Sequence, residues 1–328
     1  MPTYLKMWFI FVMPCVMIFG ILGNILIIMV ISSKCVGISK TLKIYYVSIA
    51  VSDLINIIFC NLLWSFLVDS LYLLTEGKFY IPLVHWNDIS CKTIQTIWIL
   101  SELYSNYAAI AMGIERLLCL FCPISGVRVF SVKFTLVLLT LCVLPAWISV
   151  VPVGVFVIAI TYEPGASATQ FHCSMDTGHQ FAPYFVWAFD LSMNMLHEIL
   201  NGVIVVALLA GLAHAVSTVK QLTQHASSRA FKRKAIDSAM TILAVAAVKL
   251  LIYLPIFFSL MSYYILDWTH SITSSFILAN IYRMSIELII FAHSLNVVIY
   301  FVRIRSYRKR VCLLLTRASC NIWSIQAG

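Results

Sequence analysis

The chain has 328 residues, of which 62% are hydrophobic and 11% charged, and its formal net charge is +9. Soluble domains carry about 25% charged residues, so the composition excludes an ordinary water-soluble globule and points to lipid. The positive balance is read only after its placement along the chain.

Seven apolar runs are each long enough for a membrane-crossing helix of about 20 residues. They are continuous rather than alternating, which favours helices over a barrel. The first expected helix, 7–33, is free of charge and carries Gly23 and Asn24. Its length, with no clear small-residue cleavage site after it, favours a span over a signal peptide. The second, 44–72, holds Asp53 deep within it. The third, 90–120, opens at Cys91, carries Trp98, Glu102 and Ser105, and ends in Glu115-Arg116-Leu117. Arg116 lies twenty-five residues after Cys91, about 37 Å of helix, which reaches from one interface to the other. The fourth, 133–160, contains Trp147; the fifth, 182–218, contains Asp190 and Glu198. The sixth, 235–266, carries Lys249 and then Tyr253-Leu254-Pro255. The seventh, 272–302, carries Arg283, Glu287, Asn296 and Tyr300, and a basic amphipathic helix is expected over 303–315. The expected fold is an all-α membrane protein, a single domain over 1–328: a seven-transmembrane helix bundle with a short amphipathic C-terminal helix.

Basic residues orient this bundle. Seventeen of the 22 fall on one side, in the stretches between the first and second, third and fourth, and fifth and sixth helices and in the tail. The other side holds Lys6, Lys78 and Lys92. Positive residues stay in the cytosol, so the amino terminus is expected outside and the carboxyl terminus inside, at the plasma membrane. The charge thus belongs to a membrane face, and no nucleic-acid partner is expected. Most of the ten cysteines lie in apolar runs and read as small hydrophobes. Cys91 and Cys173 are expected at the outer face, where a disulfide between them is physically reasonable. Cys312 and Cys320 follow the inner amphipathic stretch as candidates for acylation, or as plain thiols.

Several of these residues form a pattern. Gly23-Asn24, the run Ile49 to Leu54 ending at Asp53, Cys91 with Glu115-Arg116-Leu117, Trp147, Tyr253-Leu254-Pro255 and Asn296-Val297-Val298-Ile299-Tyr300 stand in order in successive helices. In order, spacing and placement the chain resembles a rhodopsin-like (class A) G-protein-coupled receptor over nearly its whole length, with a leaning to invertebrate peptide receptors. The triplet stands where that family has Asp-Arg-Tyr. The Tyr253 segment stands where it has Trp-x-Pro, and the Asn296 segment where it has Asn-Pro-x-x-Tyr.

The resemblance implies roles. Asp53, Ser105 and Asn296, with Asn24 converging, would form a pocket that binds a sodium ion or a proton; a polar core that merely ties helices together is the alternative. A carboxylate in an apolar helix is costly and by default marks function. Glu115 and Arg116 would form a cytosolic latch that breaks on activation. Pro255 would kink the sixth helix into a lever, since proline removes an intrahelical hydrogen bond. Val297 replaces the family's proline, so the seventh helix is expected to be straighter. Lys249 is the odd residue, one turn before Tyr253 on the same face. It is expected to approach Asp53 or line the same pocket and compete with sodium; snorkelling, or lining a wet gap, is the alternative.

A ligand site is expected between the outer halves of the helices, with Trp98, Glu102, Asp190, Tyr253, Arg283 and Glu287 as candidates. An aspartate is missing where amine receptors carry one, at Trp98, so a biogenic amine is disfavoured. The expected partners are an extracellular peptide or small molecule, a heterotrimeric G protein and the bilayer. Apart from a sodium ion, no cofactor is expected. A chemosensory receptor of the same fold is the alternative. A transporter ranks lower, for want of paired repeats with broken helices. The spans contain no His-Glu-x-x-His, Gly-x-Ser-x-Gly or paired catalytic aspartates, so no enzyme is expected.

Overall fold

The computed structural model describes residues 7–33, 38–76, 78–79, 81, 86–121, 131–152, 158–162, 171–175, 196–221, 226–267 and 288–326. Trp8–Ser32 is α1, with a π-helical first turn and Pro14 where the α-helix proper begins. Proline is tolerated there because the first amides of a helix have no intrahelical partner. Lys40–Asn56 is α2, capped by Ser39, whose hydroxyl accepts from the Leu42 amide at 3.3 Å. It continues as a π-helix over Ile57–Ser70 and a last turn at Leu71–Leu74. Asp88–Phe121 is α3. Asn87 starts it reciprocally: its Oδ1 accepts from the Ser90 amide at 2.7 Å, and Ser90 Oγ accepts from the Asn87 amide at 3.1 Å. Val132–Pro152 is α4, opened by Ser131. His197–Gln221 is α5, Ala226–Asp267 is α6 with Pro255 inside it, and Leu288–Arg303 is α7. Arg305–Gln326 is α8, and the chain bends by 101° between α7 and α8.

Between α4 and α5 lies an antiparallel pair, Ile158–Tyr162 (β1) and Phe171–Met175 (β2), with Ile160 opposite Cys173. This differs from the expected helix over 133–160. Pro152 ends α4, and the residues after it are rich in Val and Ile, which favour strands. The sixth helix begins earlier than the expected 235, and the amphipathic helix runs past the expected 315 to Gln326. The seventh helix is not uniform despite Val297: a single turn residue, Leu295, interrupts it. Asp190, Arg283 and Glu287 lie outside the described residues, as do 182–195 and 272–287 of the expected fifth and seventh helices.

The buried interior is mostly apolar, but it encloses an unusual set of polar side chains. Asn24, Asp53, Asn56, Glu102, Ser105, Asn106, Glu198, Lys249, His293 and Asn296 are all buried. Large apolar residues also face outward: Phe19 and Leu22 on α1, Leu141 and Ile148 on α4, Val203 and Val206 on α5, Leu251 on α6. Large apolar side chains on the outside, with polar groups paired inside, suit a hydrocarbon surrounding, which offers polar groups no partners of its own. Trp147 is half exposed on this outer coat.

Among the described residues, four helices are long and apolar enough to cross a membrane: Trp8–Ser32, Lys40–Leu63, Glu198–Ser217 and Ile236–Phe258. Leu288–Arg303 with Arg305–Leu314 makes a fifth if the bent pair is one span. This is fewer than the seven expected. Helix α3 falls short because Ser101, Glu102, Ser105 and Asn106 dilute its hydropathy. It is also the helix with the most neighbours, packed against α2, α4, α5 and α6, so its polar faces meet protein rather than lipid. For α4, only the described side chains from Val132 to Leu141 form an apolar run, which is short.

The α1–α7 contact depends on Gly23. A methyl placed there would come within 2.7 Å of Val297 Cγ1, from the very residue that replaces the family's proline. Gly23→Ala is therefore expected to destabilise the fold by about 1–3 kcal/mol through overpacking. Thermal melting of the purified chain measures the loss, and Val297→Ala on the same background should restore most of it.

Candidate functional site

The centre of the bundle is a chain of polar contacts around Asp53, which is 0% exposed. Its Oδ1 accepts from Ser105 Oγ of α3 at 2.5 Å and faces His293 Nδ1 of α7 at 2.7 Å. Its Oδ2 accepts from Asn296 Nδ2 at 2.6 Å. A carboxylate can only accept, so the His293 proton sits on Nδ1. His293 and Asn296 are one turn apart on α7 and reach the same carboxylate from one face.

Lys249 enters from α6. Its Nζ donates to Ser105 Oγ at 2.7 Å and to Asn106 Oδ1 at 3.0 Å. The ammonium thus meets Asp53 through one shared hydroxyl. It also feels the charges of Glu102 of α3 and Glu198 of α5. Tyr253, one turn further along α6, lies against Glu102 and Asn106. Asn201 Nδ2 donates to the Ala246 carbonyl at 3.2 Å and joins α5 to α6 at the same level. The core therefore spans α2, α3, α5, α6 and α7.

Asp53, Ser105 and Asn296, expected in one pocket, are brought together by the fold. Asn24 is different. Its Nδ2 donates to the Gly20 carbonyl at 3.0 Å and to the His293 carbonyl at 3.0 Å, so it holds the α7 backbone rather than the Asp53 carboxylate. His293 is the residue of this polar core that sequence reasoning misses. Its signal is present in the sequence all the same, as an imidazole one turn before Asn296 in an otherwise apolar run. Trp98 is half-buried and one turn from Glu102; its carbonyl accepts from Ser101 Oγ at 2.7 Å.

A second constellation lies at the far end of α3. Arg116 NH2 donates to Glu115 Oε1 at 2.6 Å, and Thr135 Oγ1 of α4 donates to Glu115 Oε2 at 3.0 Å. Arg116 NH1 reaches Ser238 Oγ of α6 at 3.4 Å. Arg116 Nε has no partner among the described residues. Beside the guanidinium lies Tyr46 of α2, whose ring is 4.6 Å from that of Tyr300 on α7. The amino-terminal end of α3 carries Cys91, which is fully buried, and β1 and β2 also pack against this helix. The side chain of Cys173, on β2, lies outside the described residues, as does that of Cys320. On α8, Cys312 is an exposed free thiol, while Tyr307 is tucked inward and burial pushes its phenol up.

No family model matches the chain. It is similar to an Allatostatin-A receptor from Bombyx mori, with 23% identity over 138 residues. That stretch is 42% of this chain and 35% of the relative, so it spans only part of the relative's length. With the apolar helices, this likeness makes the chain a multi-pass helical membrane protein distantly similar to a receptor.

Proposed function

We propose that the chain is a seven-helix G-protein-coupled receptor of the plasma membrane. Its amino terminus lies outside and its carboxyl terminus in the cytosol. It passes the signal of an extracellular ligand, a neuropeptide or another small molecule, to a heterotrimeric G protein.

One observation carries this reading: polar side chains of α3 and α6 meet at two levels in one antiparallel register, firmly at the centre and loosely at the inner end. Ser105 meets Lys249 near the centre, and Arg116 meets Ser238 at the inner end, eleven residues away along each helix. Eleven residues are about 16 Å, so a change at the central tie is transmitted along two stiff rods to the inner one. A ligand that favours the arrangement with the inner tie open shifts the population toward it, by no more than its differential affinity for the two arrangements.

The other roles follow from this reading. Glu102, Tyr253 and Trp98 would line the inner floor of the ligand site, with Asp190, Arg283 and Glu287 contributing from further out. A bridge between Cys91 and Cys173 would hold β2 against the outer end of α3. Pro255 would let the outer and inner parts of α6 move unequally. Cys312, exposed beside Leu313 on the basic helix α8, would accept an acyl chain together with Cys320.

The test is a peptide and small-molecule library applied to membranes holding the full chain and an added heterotrimer. A ligand that binds should stimulate guanine-nucleotide exchange without moving labelled solute across the bilayer. Binding with solute flux and no exchange would make the chain a transporter and end this reading.

A further inference from the structure

We propose that Lys249 is the resident cation of the Asp53 site: its tethered ammonium stands where the family resemblance would put a sodium ion, and the chain binds no sodium there. The inference rests on the geometry of the core and not on the receptor reading.

A sodium ion between Asp53 and Ser105 needs oxygen lone pairs turned toward it. With Lys249 in place the polar groups around Asp53 leave one carboxylate site open, on Oδ2, and no hydroxyl oxygen to complete a cage. Asp53 Oδ1 takes hydrogens from Ser105 and His293, and Oδ2 takes one from Asn296. The Ser105 hydroxyl gives its proton to Asp53 and accepts from Lys249 Nζ at 2.7 Å. An added ion would have to rotate that hydroxyl away and then sit beside a like charge. The residues present therefore do not fit a bound sodium ion.

The ammonium fits the position instead. Lys249 is 2% exposed, so the side chain does not snorkel to an interface. Two of its three hydrogens are placed, on Ser105 and Asn106. Asp53 on α2 stands behind the shared Ser105 hydroxyl, and Glu102 on α3 and Glu198 on α5 add negative charge at longer range. His293 faces the same carboxylate from α7. The compensation of Asp53 is thereby carried by α6 itself. It changes when α6 moves and does not change with the salt outside the cell.

The test needs no ligand and no G protein. The full chain in lipid nanodiscs is melted in sodium chloride and in choline chloride at equal ionic strength. The pH is 8, above the range in which imidazoles ordinarily protonate. The wild-type chain and Lys249→Arg should melt at the same temperature in both salts. Lys249→Met, which keeps the stem and removes the charge, should melt about 3 °C or more higher in sodium than in choline, because the vacated site now takes the ion. A sodium-specific rise in the wild-type chain overturns the proposal. So does a folded Lys249→Met that melts alike in both salts. If Lys249→Met does not fold, the wild-type comparison decides alone, equal melting supporting the proposal and a sodium-specific rise ending it.

Discussion

Asp53→Ala is expected to destabilise the folded chain by about 3–5 kcal/mol, the range seen when one partner of a buried charge pair is removed. The size follows from the charge and donors left stranded in the core rather than from the hydrogen bonds themselves. Interhelical hydrogen bonds in membrane proteins average only about 0.6 kcal/mol each, so three of them alone would not reach this figure. The larger effect is electrostatic. Without Asp53, the Lys249 ammonium keeps Glu102 and Glu198 but is deprived of its deepest counter-charge, while His293 Nδ1, Asn296 Nδ2 and Ser105 Oγ lose a common acceptor at once. The two charges are joined only through Ser105 Oγ; at an effective dielectric constant of about 20 and a separation of about 5 Å their attraction is roughly 3 kcal/mol, the largest part of the loss. Asp53→Asn should cost less, because an amide oxygen can still accept from Ser105 or His293. The decisive comparison is the double variant. Asp53→Asn with Lys249→Met removes both charges, and it should be more stable than Asp53→Asn alone. Denaturation of wild type, the two single variants and the double variant in mixed micelles gives the coupling between the two sites. Independent, additive losses would mean that Lys249 and Asp53 do not sense one another, contrary to their shared hydroxyl.

Much of this core is legible without coordinates, and the reason is physical. Asp53, Lys249 and Asn296 are costly in hydrocarbon, so each stands out against an apolar run and invites a partner. The partner's identity is less legible. Asn24 and His293 show why: the amide bonds a backbone carbonyl, which no side-chain pattern announces, and a single imidazole among aliphatic residues reads as core. Helix α3, expected over 90–120, runs over Asp88–Phe121. Its low hydropathy has the opposite cause to a loop's, because its polar residues face four neighbouring helices. The run after Pro152 reads as helix in the sequence because a short, wholly apolar stretch has no periodicity to separate strand from helix. The continuation of α2 as a π-helix over Ile57–Ser70 leaves no trace in composition at all. Glu198 is visible as a charge in the fifth run, but its approach to Lys249 depends on the depth at which α5 and α6 pack, which spacing within one helix does not determine.

Under the receptor function proposed above, Glu115→Gln is expected to raise ligand-free nucleotide exchange about 5–30-fold, corresponding to a loss of about 1–2 kcal/mol from the closed arrangement. The argument turns on which contact holds Arg116. The bond to Glu115 is short, at 2.6 Å, and joins two charges; the reach to Ser238 is 3.4 Å and ends on a neutral hydroxyl. Charge-assisted bonds are roughly twice as strong as neutral ones, and a 3.4 Å contact lies beyond the usual range for N–H···O. Glu115 therefore restrains the guanidinium, and Ser238 only marks where α6 closes over it. Glu115 is itself fixed by Thr135 of α4 and is fully buried, so it cannot follow the arginine outward. Gln keeps the shape and one acceptor but removes the charge, which loosens Arg116 without opening a cavity. Ser238→Ala removes only the weak contact, and its basal exchange should rise less than about threefold. The order of the two variants is the measurement that matters. It is read as basal exchange on an added heterotrimer, at equal surface expression. A larger rise for Ser238→Ala than for Glu115→Gln would place the restraint on α6 and remove Glu115 from the latch. Equal basal exchange in wild type and both variants would mean that the inner end of α3 does not control access of the G protein at all.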